Sequence, residues 1–397
     1  MASQDITESG RESPGVSWLY DPKIRGIIYQ AVTFIAIIGL IWWIVGNTVA
    51  NLQRANIASG FGFLNGRAGF DISQSPIAYS SDATYGRALL VGLLNTLNVA
   101  VIGIVTASIL GFLIGIGRLS RNWLVRKICL VYVEIFRNVP PLLVIFFWYF
   151  GVLSVLPQAR ESISLPFSSY LNNRGFFFPV AVWGENAGLI GIALLIGLAL
   201  SFLVFRWARK RQMATGQIFP VYRTAAALIV GLPLLAFVVT GFPLSFDYPQ
   251  LGTFNLSGGT QIRPEFLALF LALSFYTAAF IAEIVRAGIL GVSRGQTEAS
   301  YALGLRPGQA MRLVVIPQAL RIIIPPLSSQ YLNLTKNSSL AIAIGYPDLV
   351  AVGGTILNQT GQSIEIVAIW MVIYLGLSLI TSGLMNWFNA KMALVER

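Results

Sequence analysis

The sequence contains no histidine, which removes the commonest general base and the commonest metal ligand. Its single cysteine, Cys129, excludes an intramolecular disulfide. Set between Ile128 and Leu130, that thiol reads as a small buried hydrophobe and not as a reactive group. No Gly-Lys dipeptide occurs, so the chain has no Walker A phosphate loop. Any nucleotide that drives it must bind another chain. No catalytic group, metal site or resident cofactor is expected. Charge is scarce as well: 11% of residues are charged, against about a quarter in soluble domains. With 55% hydrophobic residues and a mean hydropathy of +0.71, the composition is that of an integral membrane protein. The net charge of +11 does not point to nucleic acid, because the basic residues are scattered over short loops between apolar runs. Positive loops on the cytoplasmic side account for the excess.

What the sequence has is a series of long apolar runs. Hydropathy places membrane spans at 26–47, 89–117, 128–155, 188–207, 224–242, 264–285, 321–345 and 364–388. The predicted fold class is an all-α polytopic membrane protein with about eight transmembrane helices. The first run follows a polar tail, 1–25, and lacks a small-residue cleavage site, so it reads as a retained helix. Alternate loops differ sharply in charge. One set carries most of the 27 Lys and Arg residues, and the other holds only Arg54, Arg67, Arg87, Arg160, Arg174 and Arg263. This asymmetry places both termini, including the tail 389–397, and the loop at 286–320 in the cytoplasm. The segment 48–87 then becomes a periplasmic loop. It and the loop 156–187 are polar and aromatic, able either to cap the membrane domain or to bind a partner.

One polar stretch, Gln296–Pro317, stands out between apolar runs. Glu298 to Leu303 reads as helix, with Gly304 suited to its C-terminal cap. Pro307 suits the first turn of a second helix, which Pro317 is expected to end. A short helix pair outside the bilayer is a plausible docking element.

Two further patterns lie in or beside the spans. Gln330, Asn333, Lys336 and Asn337 fall on one helical face, after Pro325 and Pro326, which are expected to kink the helix. A lysine at depth costs a few kcal/mol unless paired or facing water. It therefore lines a solute pathway, pairs with a neighbouring glutamate or snorkels to an interface. Glu134-Ile135-Phe136-Arg137 and Glu283-Ile284-Val285-Arg286 repeat one charge pattern at the cytoplasmic ends of two spans. Each acid can pair locally with its i+3 arginine, or the two motifs can cross-pair and latch a gate. Gly111 and Gly115 form a small-xxx-small pattern, a weak sign of helix contact in a chain with 38 glycines.

The polar stretch resembles the EAA loop of type I ABC-transporter permeases. Glu298, Ala299, Gly304 and Pro317 stand at that family's spacing, with Ser300 in place of its second alanine. The segments Ala282–Gly288, Gly295–Glu298, Pro317–Arg321 and Lys336–Leu340 look like the polar amino-acid branch. So do Leu89–Thr96, which adds Thr96 to the candidate pathway residues, and Tyr132–Leu143. Length and extra spans look most like the larger permease subunits of general L-amino-acid importers of Gram-negative bacteria. The resemblance implies a type I permease domain over 88–388. Its five-helix core would carry one added N-terminal helix and a two-helix insertion at about 156–263.

It further implies an importer moving L-amino acids across the bacterial inner membrane by alternating access. Its expected partners are a second homologous permease, two ATP-binding cassette subunits that use ATP and Mg, and a periplasmic amino-acid-binding protein, all arranged around a lipid-embedded bundle. The loop 286–320 would be the lever that the ATPases move. The alternatives are an ion-coupled secondary transporter and a membrane-embedded enzyme. The first needs intramembrane carboxylates, and only Glu134 and Glu283 qualify, both near a membrane face. The second lacks histidine and convergent acids.

Overall fold

The computed structural model describes residues 22–54, 60–252 and 255–392. Most of both predicted tails, 1–21 and 393–397, therefore lies outside the described residues. Among those described, seven helices are long and apolar enough to cross a membrane, or eight if one bent pair counts as a single span. α1 is Pro22–Arg54, α2 Tyr85–Gly117, α3 Trp123–Asn138 and α4 Pro141–Phe146, which continues as a π-helix over Phe147–Leu153. α5 is Gly188–Thr215 and α6 Val221–Val239. α7 is Pro264–Leu290, α8 Arg294–Ala302 and α9 Pro307–Ala310. α10 is Ile316–Asn337 and runs on as a 3-10 helix to Ile344; α11 is Leu349–Thr360 and α12 Ser363–Met392.

The span expected at 128–155 is a bent pair of helices. α3 and the α4 segment meet at a bend of 112°. The cause is local: Val139 precedes Pro140 and Pro141, and both Val139 and Pro140 take extended backbone, with ψ of 133° and 140°. A residue before proline is driven out of the helical region. Pro325 and Pro326 lie inside α10, which stays helical through both.

α7 is the axis of the fold, with 61% of its most apolar window buried. Its face of Ala268, Ala272, Ala278, Ala279 and Ala282 is almost fully buried, and α2 lies closely against it. A Cβ on Gly111 would come within 2.5 Å of Ile281 Cγ2, and one on Gly115 within 2.7 Å of the Ala282 carbonyl oxygen. The small-xxx-small pattern therefore marks a real backbone approach. α10 packs against both α7 and α2, with Ile323 against Gly288 and Leu334 against Gly103 of α2. Both Ile323 and Leu334 are buried in the main core cluster.

The fold is mostly helical, as expected, with a small β element outside the spans. The insertion carries eight short strands beyond the spans. β1 Ile163–Leu165, β2 Ser169–Asn172, β3 Gly175–Phe178 and β8 Thr260–Ile262 form an antiparallel sheet in the order β1-β2-β3-β8. Phe176 stands opposite Ile262. β4 Val180–Trp183 pairs with β5 Leu244–Asp247 just beyond α5 and α6, and β6 Gln250–Leu251 pairs with β7 Leu256–Ser257. Phe177, Leu256 and Ala159 give this cap its own small core. The loops on either side of the two inserted helices thus fold against each other.

Candidate coupling loop and transport face

α8 and α9 lie beyond the basic ends of α7 and α10. The turn between them is a Schellman closure: Leu305 N donates to Ser300 O at 3.1 Å and Gly304 N to Tyr301 O at 2.9 Å. Gly304 has φ +79°, and nothing lies within 4 Å of where its Cβ would be. The demand there is conformational and not steric. Ser300 is buried and its hydroxyl donates to Thr297 O at 2.7 Å, so it faces the protein. Glu298, Ala299, Gly304 and Pro317 are exposed. Gln318 Nε2 donates to Gln296 Oε1 at 3.1 Å and ties α8 to the start of α10. Pro317 does not end a helix, as expected from sequence. α9 passes through a π-turn, Met311–Val315, into α10, and Pro317 is the second residue of that helix. The loop and the spanning helix are one continuous rod. Sequence reading also missed the exposed apolar residues of this loop. Tyr301 is 48% and Leu303 83% exposed.

Just inside the loop, one carboxylate gathers three arginines. Glu283 on α7 accepts from Arg286 Nη2 at 2.6 Å and from Arg118, which caps the C-terminus of α2. Arg137 of α3 stands at 4.0 Å, with its guanidinium 5.8 Å from the Phe280 ring centre. Glu283 thus joins α2, α3 and α7. The expected local pair Glu134–Arg137 does not form. Glu134 is exposed and accepts from Asn138 Nδ2 at 3.4 Å, while Arg137 reaches the other way to α7. Arg118, the partner that sequence spacing could not supply, comes from a helix 165 residues away.

On α10 the polar face is separate from the packed face. Asn333 and Lys336 are exposed, and Gln330 and Asn337 are half-buried. Lys336 has no ion pair among the described residues. The intramolecular glutamate partner considered from sequence is absent among the described residues. Thr96 does not belong to this face. It is fully buried, and its hydroxyl accepts from Leu349 N at 3.1 Å. Neighbouring Asn95 donates to Pro347 O and Gln74 O, both at 2.8 Å. Tyr346 donates to Asn95 O at 3.1 Å, and Trp370 Nε1 to Leu349 O at 3.1 Å. Together these contacts hold α11, whose N-cap is Asp348, with Oδ1 accepting from Ala351 N at 2.8 Å. Asp348 is fully buried and its Oδ2 has no partner. It lies in the connection between two spans. Burial pushes its carboxyl up to about 7, against the pull of the backbone N–H groups of Ala351, Val350 and its own residue.

A helical bundle spanning a bilayer, with an exposed short-helix loop rigidly joined to a spanning helix and a partly polar face beside it, is the architecture of a membrane permease. The chain belongs to the family of binding-protein-dependent transport system inner membrane components, the permeases of ABC importers; that family's model matches residues 213–394. It is 68% identical over 388 residues to the general L-amino acid transport system permease protein AapQ of Rhizobium johnstonii, covering 96% of this chain and 97% of that protein. It is 51% identical over 378 residues to the putative amino-acid ABC transporter permease protein YhdX of Escherichia coli, covering 95% and 96%. A third relative is the glutamate/glutamine/aspartate/asparagine transport system permease protein BztB of Rhodobacter capsulatus. It is 43% identical over 414 residues, and 96% of each chain is covered.

Proposed function

We propose that this chain is one of two related permease subunits that carry L-amino acids inward across the bacterial inner membrane. A periplasmic binding protein delivers the substrate, and two ATPase subunits that bind ATP and Mg drive the cycle. Three relatives whose names specify amino-acid transport, each matching nearly end to end, support the substrate class. In this reading both termini and the α8–α9 loop are cytoplasmic, which the charge asymmetry of the loops supports.

The observation that carries the energy coupling is the continuity of the exposed loop with α10. Exposed Tyr301 and Leu303 would bury themselves in a groove of the ATPase, and exposed Glu298 would meet a cation there. Closure of the ATPases then displaces a rod whose far part lines the transport face. Movement of one packed element against another is how such bundles alternate access. On that face Lys336 attracts the substrate carboxylate, while Gln330, Asn333 and Asn337 offer amides to both ends of the molecule. The Glu283 cluster clasps the cytoplasmic ends of α2, α3 and α7 and closes the inward gate.

The test is substrate-stimulated uptake and ATP hydrolysis by the reconstituted complex. Glu298→Lys should reduce uptake at least tenfold while the permease still inserts and purifies. Gly304→Val should do the same, because a β-branched residue resists positive φ. Gly304→Asn should retain most activity, since Asn tolerates that conformation and no atom crowds the site. Wild-type uptake by Glu298→Lys and Gly304→Val together would sink the coupling role. Lys336→Met should abolish stimulation by substrate and leave basal hydrolysis in place.

A further inference from the structure

The α5–α6 hairpin is a second, separate problem. None of its residues enters a core cluster. Its two helices pack on each other instead, with Gly197 against the Leu228 carbonyl. α5 has 28 residues, which makes it roughly 42 Å long, well beyond the roughly 30 Å of a bilayer's hydrocarbon core. The surplus is its last turns, and they carry Arg206, Arg209, Lys210 and Arg211. Arg223 begins α6 beside them. No acidic residue occurs between Glu185 and Asp247, and Arg209, Lys210 and Arg223 have no ion pair among the described residues.

A groove of about 530 Å³ opens between the end of α5 and the start of α6. Arg209 and Arg223 line it from opposite helices, together with Phe205 of α5 and Ile218, Phe219 and Tyr222 at the turn into α6. A second groove runs along the outer face of α5, shares Phe205 and Arg209, and extends the apolar wall to Phe202. Arg206 and Arg211 are held aside over the rings of Phe202 and Trp207, at 5.7 and 5.4 Å. The site is thus apolar toward the span and cationic toward its end, with the counter-charge missing. An amphipathic anion matches both halves.

We propose that this groove holds an anionic phospholipid, with its phosphate between Arg209 and Arg223 and its acyl chains along Phe202 and Phe205. The lipid supplies the missing negative charge and anchors the hairpin at the membrane surface. Juxtamembrane cations each contribute about 1 kcal/mol to such attraction, so removing two should lower affinity by about thirtyfold. A phospholipid fits better than a soluble acidic protein, because the cations share the groove with an apolar wall that continues into the lipid-facing span. Placement in the cytoplasmic leaflet rests on the orientation proposed above.

Native mass spectrometry of the purified permease complex, with phosphatidylglycerol or phosphatidylethanolamine added, tests the proposal. The wild-type complex should retain phosphatidylglycerol over phosphatidylethanolamine, and 0.5 M salt should reduce that preference. Arg209→Gln with Arg223→Gln should abolish it, while Arg209→Lys with Arg223→Lys keeps it. Equal retention of the two lipids by wild type, or unchanged preference in the Gln pair, overturns the proposal. So does loss of the ATPase from the Gln-pair complex with lipid retention intact, which would make the groove a protein contact. Orientation is read separately by placing a cysteine at Gln217 in a Cys129→Ser background. Labelling of Gln217→Cys from outside intact cells would sink the leaflet assignment and leave the lipid chemistry standing.

Discussion

α7 and the α5–α6 hairpin are nearly indistinguishable by mean hydropathy: 2.0 for α7, against 2.6 and 1.9 for the two inserted helices. Yet 61% of the apolar window of α7 is buried inside the chain, against 11% and 0% for the hairpin. Lipid tails are as apolar as leucine, so apolarity alone cannot draw one spanning helix against another. What separates the two regions is side-chain size on one face. Gly111 and Gly115 of α2 leave room for Ile281 and Val285 of α7, and the backbones close to contact at the Ala278 and Ala282 carbonyls. The hairpin has such an approach only within itself, at Gly197. Its outer surface carries Leu195, Phe202, Leu203 and Val239, all more than half exposed. The core is held by shape, and the hairpin is held in the membrane by solvation and at its end by charge.

Substituting glycines on the two sides is the sharpest way to break that contrast. In Gly115→Leu the new Cβ would stand 2.7 Å from the Ala282 carbonyl oxygen and 2.8 Å from Val285 Cβ. The α2–α7 contact must open, at about 3 kcal/mol or more. Gly191→Leu on α5 meets nothing within 4 Å and should change stability by less than about 0.5 kcal/mol. Thermal melting of the purified complex, followed by size-exclusion chromatography, reads both. Equal losses would mean that small residues do not set the core apart.

Charge gives the next contrast. Glu283→Gln leaves Arg118, only 11% exposed, and Arg286 without their anion, at about 2 kcal/mol once partial solvation is allowed for. Arg206→Gln on the exposed hairpin, which has no acidic neighbour to lose, should cost about 0.5 kcal/mol or less. A charge exchange, Glu283→Arg with Arg118→Glu, should recover part of the Glu283 loss in the same melts. No recovery would show that Glu283 acts through packing.

The remaining contrast is at Asp348, which ties α11 to the core and has no counterpart in the hairpin. Its folded-state carboxyl, near 7, lies above the ordinary aspartate value of about 3.9. The folded protein therefore holds a proton that the unfolded chain releases. This contribution to stability is present in full at low pH and disappears as pH rises from about 4 through about 7. Asp348→Asn should flatten that slope and raise the melting temperature at pH 8 by about 3 °C. An unchanged pH profile in the variant would show that Asp348 is already solvated.

The apolar runs, the alternating basic loops and the spacing of Glu298, Gly304 and Pro317 were legible from the chain because each is a local property. The membrane solvates every run of sufficient length, and a turn that needs positive φ selects glycine wherever it falls. Nearby residues also announced the Pro140–Pro141 break, although hydropathy averaged over it. Thr96 misled, because its motif is local but its partner, Leu349, lies 253 residues away. The strands of the cap were too short, at two to four residues, for their alternation to register. Asp348 and Tyr346 gave no sequence signal at all, being polar residues in an ordinary loop until α2 closes over them.

By itself, then, the sequence determined that the chain lives in a bilayer, which loops carry the basic residues, and where a polar helix pair interrupts the spans. Hydropathy, charge and backbone preference act residue by residue, and no fold is needed to evaluate them. Only the tertiary structure decided which spans form the core, that Arg118 joins Arg137 and Arg286 at Glu283, and that Lys336 has no ion pair among the described residues. Those outcomes depend on which distant surfaces fit closely enough to exclude lipid and water, a property of two helices together that neither one carries alone.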